Sequence, residues 1–438
     1  MDIIIRVVQV ILALSILVVV HEFGHFLFAK VFKIRVEKFY LFFPPALFKY
    51  KPKNSDTEWG IGMIPLGGFC KISGMIDESM DKETMAQEPQ PWEYRTKPAW
   101  QRLLVISGGV LFNFIFAMLL YSAILFTWGE EYLKNEDAKY GIQTNSLSAE
   151  IGFRDGDRIL AFDDMVPSNF AELQVDLVRT QAKTATVVRG EDTLVIDIDP
   201  AYIPAILNTP GMFMLAAPVA IAQVPDTSIN ASAGMTVGDR FVKVANKTIH
   251  SFTSLQNTLA EHKGEVIPVE FLRGDEPITF DLQVDGQGKI EVVLQNDVSD
   301  FEITKKSYTI LTAIPAGISK TFNTIGDYIK ELGLIFSPKT EAYKSVGSFI
   351  AIGSIFPTAW NWEAFWNIVA LLSVMLAVIN LLPIPALDGG HIVFTLYEIL
   401  TGRKPSDKFM EYAQMAGMIF LLLIMFLAFG NDIFRLFR

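Results

Sequence analysis

Apolar residues along this chain fall into blocks. Residues 7–20 are almost wholly apolar, and Phe26, Leu27 and Phe28 continue the run past a short polar interruption. Four such runs, 7–28, 103–127, 364–382 and 415–429, approach the length of about 20 residues that hydrocarbon requires of a helix. The last is the shortest. Arg6 before the first run imitates a signal peptide, but no small-residue cleavage site follows. A polar cluster stands there instead, so the segment reads as a permanent span.

Basic residues orient the spans. Lys30, Lys33, Arg35, Lys38, Lys49, Lys51 and Lys53 face only Glu37 in the same stretch, and Arg403, Lys404 and Lys408 precede the last span. The positive-inside bias therefore puts 30–100 and 400–410 in the cytoplasm, with both termini and the long middle section opposite. Within the first loop, Arg35–Leu41 and Trp59–Ile72 read as strands. The second is interrupted by Pro65, Leu66, Gly67 and Gly68, which mark an edge, a bulge or a close backbone approach. In the second span, Gly108 and Gly109 allow tight helix packing, and Asn113 reads as a packing residue able to hydrogen-bond across helices.

From about 130 to 300 the chain becomes charged, with short β-branched runs and frequent turn residues. It repeats itself. Ala149-x-x-Gly152-x-x-x-Gly156-Asp157-Arg158 recurs as Ala231-x-x-Gly234-x-x-x-Gly238-Asp239-Arg240. A strand follows each copy, then a helical pattern (Phe170, Leu173, Gln174, Leu177; Phe252, Leu255, Gln256, Leu259). Each copy closes on a strand ending in Arg-Gly, at Arg189 and Arg273. Two tandem α/β modules of this order resemble paired PDZ domains. By that resemblance they would offer grooves to an extended peptide such as a substrate C-terminus, or serve as spacers without binding. Beyond them, Ile310, Leu311, Ile314, Ile318, Phe322, Ile325, Ile329 and Leu332 recur at helical spacing. Pro315 predicts a start near 316, with the helix packed on the modules or lying on the membrane surface. Ser345–Phe356 is apolar but too short to span.

Composition sets limits. A hydrophobic fraction of 51% and a mean hydropathy of +0.33 suit a membrane protein. A net charge of −11 argues against nucleic acid as partner, and the single Cys70 excludes an intrachain disulfide. The chemistry concentrates in His21-Glu22-Phe23-Gly24-His25. Positions i and i+4 share a helix face, so both imidazoles can address one metal ion, and Glu22 is placed to act on a metal-activated water. Two histidines and a carboxylate inside an apolar helix are costly and point to function. A catalytic zinc needs a third protein ligand. The third span ends in Asn380-Leu381-Leu382-Pro383-Ile384-Pro385-Ala386-Leu387-Asp388-Gly389-Gly390-His391, where the prolines break the helix. Asp388 completes the ligand set, or caps the following helix; His391 is a competing ligand placed no closer than behind the first three.

Together these motifs resemble the site-2 protease family (M50), in the order of its bacterial regulator-of-sigma-E (RseP-type) branch, across essentially the whole chain. The resemblance implies a multi-pass α-helical membrane protein of about four spans, with a membrane-associated β segment and two tandem extracytoplasmic PDZ-like modules. Its parts would be 1–30 (first span with the zinc motif), 31–102 (cytoplasmic loop with the β segment), 103–128 (second span), 129–215 and 216–300 (the modules), 301–362 (amphipathic connecting helices) and 363–438 (third and fourth spans). It implies one catalytic Zn²⁺ on His21, His25 and Asp388, with Glu22 as general base. Asn380 would hold unwound substrate backbone, and Gly67-Gly68 would form a β edge. The expected partners are transmembrane protein or peptide substrates and the lipid bilayer of the bacterial inner membrane. The expected substrates are single-pass regulators such as anti-sigma factors after a first cleavage, or remnant signal peptides. One departure is Leu41-Phe42-Phe43-Pro44-Pro45, where relatives often carry a glycine-rich turn; no function is carried onto it. A metal transporter would spread its acidic and histidine residues over several spans and has no need of tandem modules. A silent adaptor would have no use for Glu22.

Overall fold

A computed structural model describes residues 2–75, 88–337 and 340–436. The first apolar run, free of proline, continues in both directions as one helix, α1 (Asp2–Val31). After it, β1 (Val36–Tyr50) and β2 (Glu58–Ile72) form a long irregular hairpin. The inner arm of β1 pairs with the end of β2 (Val36 with Ile72, Tyr40 with Phe69, Leu41 with Gly68). The same arm also meets the start of β2 at Phe39–Trp59, and that start pairs again with the outer arm of β1 at Tyr50–Trp59. β1 therefore runs further than its sequence pattern suggests, through Pro44 and Pro45, whose missing N–H groups a bent and irregular strand tolerates.

The second run becomes α2 (Ala99–Thr127). It crosses α1 at two glycines: a Cβ on Gly24 would lie 2.1 Å from the Gly108 carbonyl oxygen, and one on Gly108 2.5 Å from that of Gly24. The two backbones touch. The amphipathic stretch becomes α3 (Ile310–Ile335), beginning at Ile310 and not near 316. Thr309 and Thr312 form a capping box ahead of Pro315. Pro315 lies in the second turn, where it costs one hydrogen bond, to the carbonyl of the exposed Leu311. This helix packs lengthwise on α2. Gly317 closes on Ser122, and Tyr328, Ile325 and Leu332 join Tyr121 and Ile124 in one apolar cluster. A seven-residue helix, Phe349–Ile355, precedes α4 (Trp362–Leu381). After the double-proline turn come α5 (Asp388–Thr401) and α6 (Asp407–Leu436). Among the described residues, four helices are long and apolar enough to cross a membrane: Ile3–Val31, Ala99–Thr127, Trp362–Leu381 and Lys408–Phe434. They coincide with the four runs and extend each of them.

The chain divides into two compact units. One comprises Met1–Gly129, Ser307–Phe336 and Tyr343–Arg438, the other Glu130–Lys306 and Ser337–Ala342. The second unit holds both repeats. In the first repeat, Arg158–Phe162 and Asp192–Asp197 flank Thr184–Arg189, and Ile142–Thr144 pairs with Phe213–Leu215. In the second, Arg240–Val244 lies between Val266–Arg273 and Val219–Gln223, and the latter also pairs with Val293–Asn296. Each copy has its helix, Leu173–Thr180 or Phe252–Glu261. The repeated Gly-Asp and Arg-Gly signatures meet in space. Arg189 grips the buried Asp157 through two nitrogens and reaches the Gly152 carbonyl; Arg273 does the same with Asp239 and Gly234. Gly152 and Gly234 have φ of 118° and 91°, a conformation that a side chain resists.

Candidate metal centre and active site

The unbroken helix through residue 25 puts His21 and His25 on one face of α1. His25 Nδ1 donates to the Val105 carbonyl at 2.9 Å, which leaves the Nε2 lone pair free. His21 Nδ1 sits 3.1 Å from the Asn113 amide. The amide orientation that presents Oδ1 to Nδ1–H gives His21 the same tautomer. Asn113, read from sequence as a packing residue, thus orients a candidate ligand.

Asp388 opens α5. It is not the N-cap: that position belongs to Leu387, and no side chain caps the helix. The carboxylate instead faces the two imidazoles. Asp388 Oδ2 lies 3.3 Å from His21 Nε2 and 3.4 Å from His25 Nε2, and the two Nε2 atoms are 3.3 Å apart. Ligands on a tetrahedral zinc with bonds of about 2.0–2.1 Å are separated by about 3.3 Å, so the triangle has the dimensions of one tetrahedral face. Asp388 Oδ2 is buried without a hydrogen-bond partner, as a carboxylate awaiting a cation would be. Among the described residues these three form the one group of three or more His, Cys, Asp or Glu close enough to share an ion.

Gly109 floors the triangle. A Cβ there would lie 2.5 Å from His25 Nε2, 2.6 Å from His21 Cε1 and 2.8 Å from His21 Nδ1. The sequence marked Gly109 for packing only; its partner is the face of the candidate donor triangle.

A cavity of ≈ 450 Å³ opens on this triangle, and Glu22, Asn380, Gly68 and His391 also line it. The Glu22 carboxylate accepts a hydrogen bond from the Cys70 backbone, tying the base candidate to β2. The Asn380 side chain has no hydrogen-bond partner among the described residues, so its amide is available to the cavity. Gly68 brings β2 against α1, where a Cβ would meet Val18 at 2.6 Å; beside it, a Cβ on Gly67 would meet the Phe43 ring at 2.7 Å. His391 faces the cavity but stands outside the triangle. Phe43 and Pro44, to which the sequence reading gave no function, form part of the wall, and so does Gln414 of α6.

Comparison with known proteins agrees with this chemistry. The profile of Peptidase family M50 matches residues 9–424. A Xylella fastidiosa protein named as a zinc metalloprotease is 30% identical, with 97% of each chain covered. The Regulator of sigma-E protease RseP of Escherichia coli is 28% identical over 97% of this chain and 98% of its own. Protease RseP of Yersinia pestis is 27% identical with the same coverage.

Proposed function

The chain belongs to peptidase family M50 and is a zinc metalloendopeptidase, and we propose that it cuts membrane-spanning segments inside the bilayer, with zinc held by His21, His25 and Asp388. The donor triangle carries this reading. Bound there, zinc supplies Lewis acidity and a water whose pKa falls toward ~7. Glu22, beside His21, takes the proton from the attacking water and returns it to the leaving amine. The Cys70 N–H steadies one side of its carboxylate.

A peptide bond inside a helix is shielded by its own hydrogen bonds, so substrate must unwind before attack. The released N–H and C=O groups cost several kcal/mol each in lipid unless they find partners. The end of β2, paired with β1 on one side, offers a strand edge from Gly68 onward, and Asn380 offers an amide. The natural substrates are single-pass membrane regulators such as anti-sigma factors after a first cleavage, or remnant signal peptides. The names of the RseP relatives support the first class. Charge bias supports a bacterial inner-membrane location with the PDZ-like repeats outside the cytoplasm.

In the first repeat, Gln174 donates to the Ile206 and Thr209 carbonyls and accepts from the Met212 amide, tying its helix to the 203–212 segment. That counts against peptide entry there and favours a size filter. Glu22→Gln enzyme, purified with zinc, should retain uncut membrane fragments that wild type cleaves. Cleavage by this variant at the wild-type rate would refute the assignment. Deleting 140–300 should admit untrimmed substrates if the repeats filter by size, and should weaken cleavage of trimmed ones if they bind peptide.

A further inference from the structure

We propose that Gln414 binds substrate, its side-chain amide hydrogen-bonding the peptide backbone of the segment lying in the catalytic cavity. The inference rests on the intramembrane-protease reading and adds a contact from the fourth span. Gln414 sits in α6 amid apolar residues and is only 5% exposed. It has no hydrogen-bond partner among the described residues, yet it lines the cavity shared by Glu22, Asn380 and the donor triangle. Its amide atoms are not among the sealed-off polar atoms that lack a partner, so they open into the cavity and hold two donors and two acceptor sites free for an occupant.

The local backbone explains its aim. Gly417, three residues on and hence on the same face of α6, is pressed against the turn that precedes Asp388: a Cβ there would fall 1.6 Å from the Pro385 carbonyl oxygen. Helix α6 is thereby held against the wall of the site, with Gln414 one turn away.

The chemistry of the occupant follows from what a membrane segment can offer. Its side chains are apolar, so its polar groups are the N–H and C=O groups freed on unwinding. In an extended chain these alternate in direction. The β2 edge can pair with those on one side only. The groups facing away need partners that both donate and accept, and a primary amide does both. Asn380 and Gln414 meet that need from α4 and α6.

The test uses full-length zinc-loaded enzyme and a membrane-spanning peptide carrying single ester-for-amide replacements across the cleavage site, each removing one N–H. Gln414→Met preserves length and volume without the amide. We expect zinc retained at one per chain and cleavage reduced about 10- to 100-fold, the range for losing a buried hydrogen bond. We also expect one ester position that penalises wild type and no longer penalises the variant. Wild-type cleavage by Gln414→Met, or identical ester penalties in both enzymes, would overturn the proposal. Should Gln414→Met lose zinc, Gln414→Asn, with its shortened reach, must show the same selective loss; uniform penalties there overturn it too. Zinc-free wild type that cleaves as well as the loaded enzyme would instead remove the protease reading, and this inference with it.

Discussion

Replacing Gly109 by alanine adds one methyl group to α2 at the floor of the donor triangle. The new carbon would fall 2.5 Å from His25 Nε2, 2.6 Å from His21 Cε1 and 2.8 Å from His21 Nδ1. Ordinary contact needs about 3.5 Å, so the rings or the helix must give way by about 1 Å. The backbone has little freedom to yield, because α1 and α2 already touch at Gly24 and Gly108. The rings are also tied, His25 to Val105 and His21 to Asn113. Overpacking of this kind costs about 1–3 kcal/mol. A displacement of about 1 Å at reacting groups costs about 100-fold in rate. Gly109→Ala should therefore fold and insert, bind zinc more weakly, and cleave a membrane peptide about 100-fold more slowly. Metal content by mass spectrometry alongside a gel-based cleavage assay reads both effects. Gly430→Ala, with open space around the new carbon, is the control for adding a methyl to a membrane helix. Full zinc occupancy and wild-type turnover in Gly109→Ala would refute the account of the floor.

His21→Ala and Asp388→Ala should each reduce zinc from about one per chain to near none; retention in Asp388→Ala would move suspicion to His391. Glu22→Gln should keep zinc while turnover falls about 100- to 10,000-fold, the usual weight of a positioned base. Asn380→Ala should keep zinc and lose about 10- to 100-fold in cleavage through lost substrate hydrogen bonds. In the second repeat, burial pushes the Asp239 carboxyl up, but Arg273 together with the Thr236 amide and hydroxyl outweighs it and holds the group below the ordinary carboxylate range. Its folded pKa is thus depressed, so the stability it contributes is present above the unfolded value of about 4 and is lost as pH falls through the folded one. Hydrogen exchange of strand Arg240–Val244 in the full chain, relative to the intrinsic rate, should quicken over that acidic window. Arg273→Gln should shrink that response while leaving the share from Arg240 with Asp297 and Asp300; an unchanged acid profile in Arg273→Gln would contradict it.

The four spans were legible because hydrophobic length is a one-dimensional property, as was the pairing of His21 with His25, fixed by helical pitch. The repeat was equally plain. That its Asp and Arg signatures form one clamp was not, because the partners belong to different strands. Asp388 was legible as a residue of consequence but ambiguous in role, since cap and ligand place the same residue at the same helix start. The structure shows no side-chain cap there. Pro315 misled because proline breaks helix interiors but is tolerated near their starts, and Thr309 supplied a start further upstream. Gly109 and Gln414 carried weak signals, a paired glycine in an apolar run and a lone amide at the edge of one. What each faces depends on how two helices cross, which no local pattern encodes.

The glycine crossing of α1 and α2 also acts as a fulcrum. Membrane helices meet a thicker or thinner bilayer largely by tilting. The far end of α1 lies about 33 Å from Gly24, whereas His21 lies about 4.5 Å away along the axis. Rocking α1 by about 5° about that point sweeps the far end through about 3 Å and moves the histidines by about 0.4 Å. That is within the roughly 0.5 Å that a catalytic constellation tolerates. Lever mechanics thus insulates the donor triangle from the lipid, so a change of acyl-chain length reaches the ends of the helices while hardly stirring the site beside the pivot.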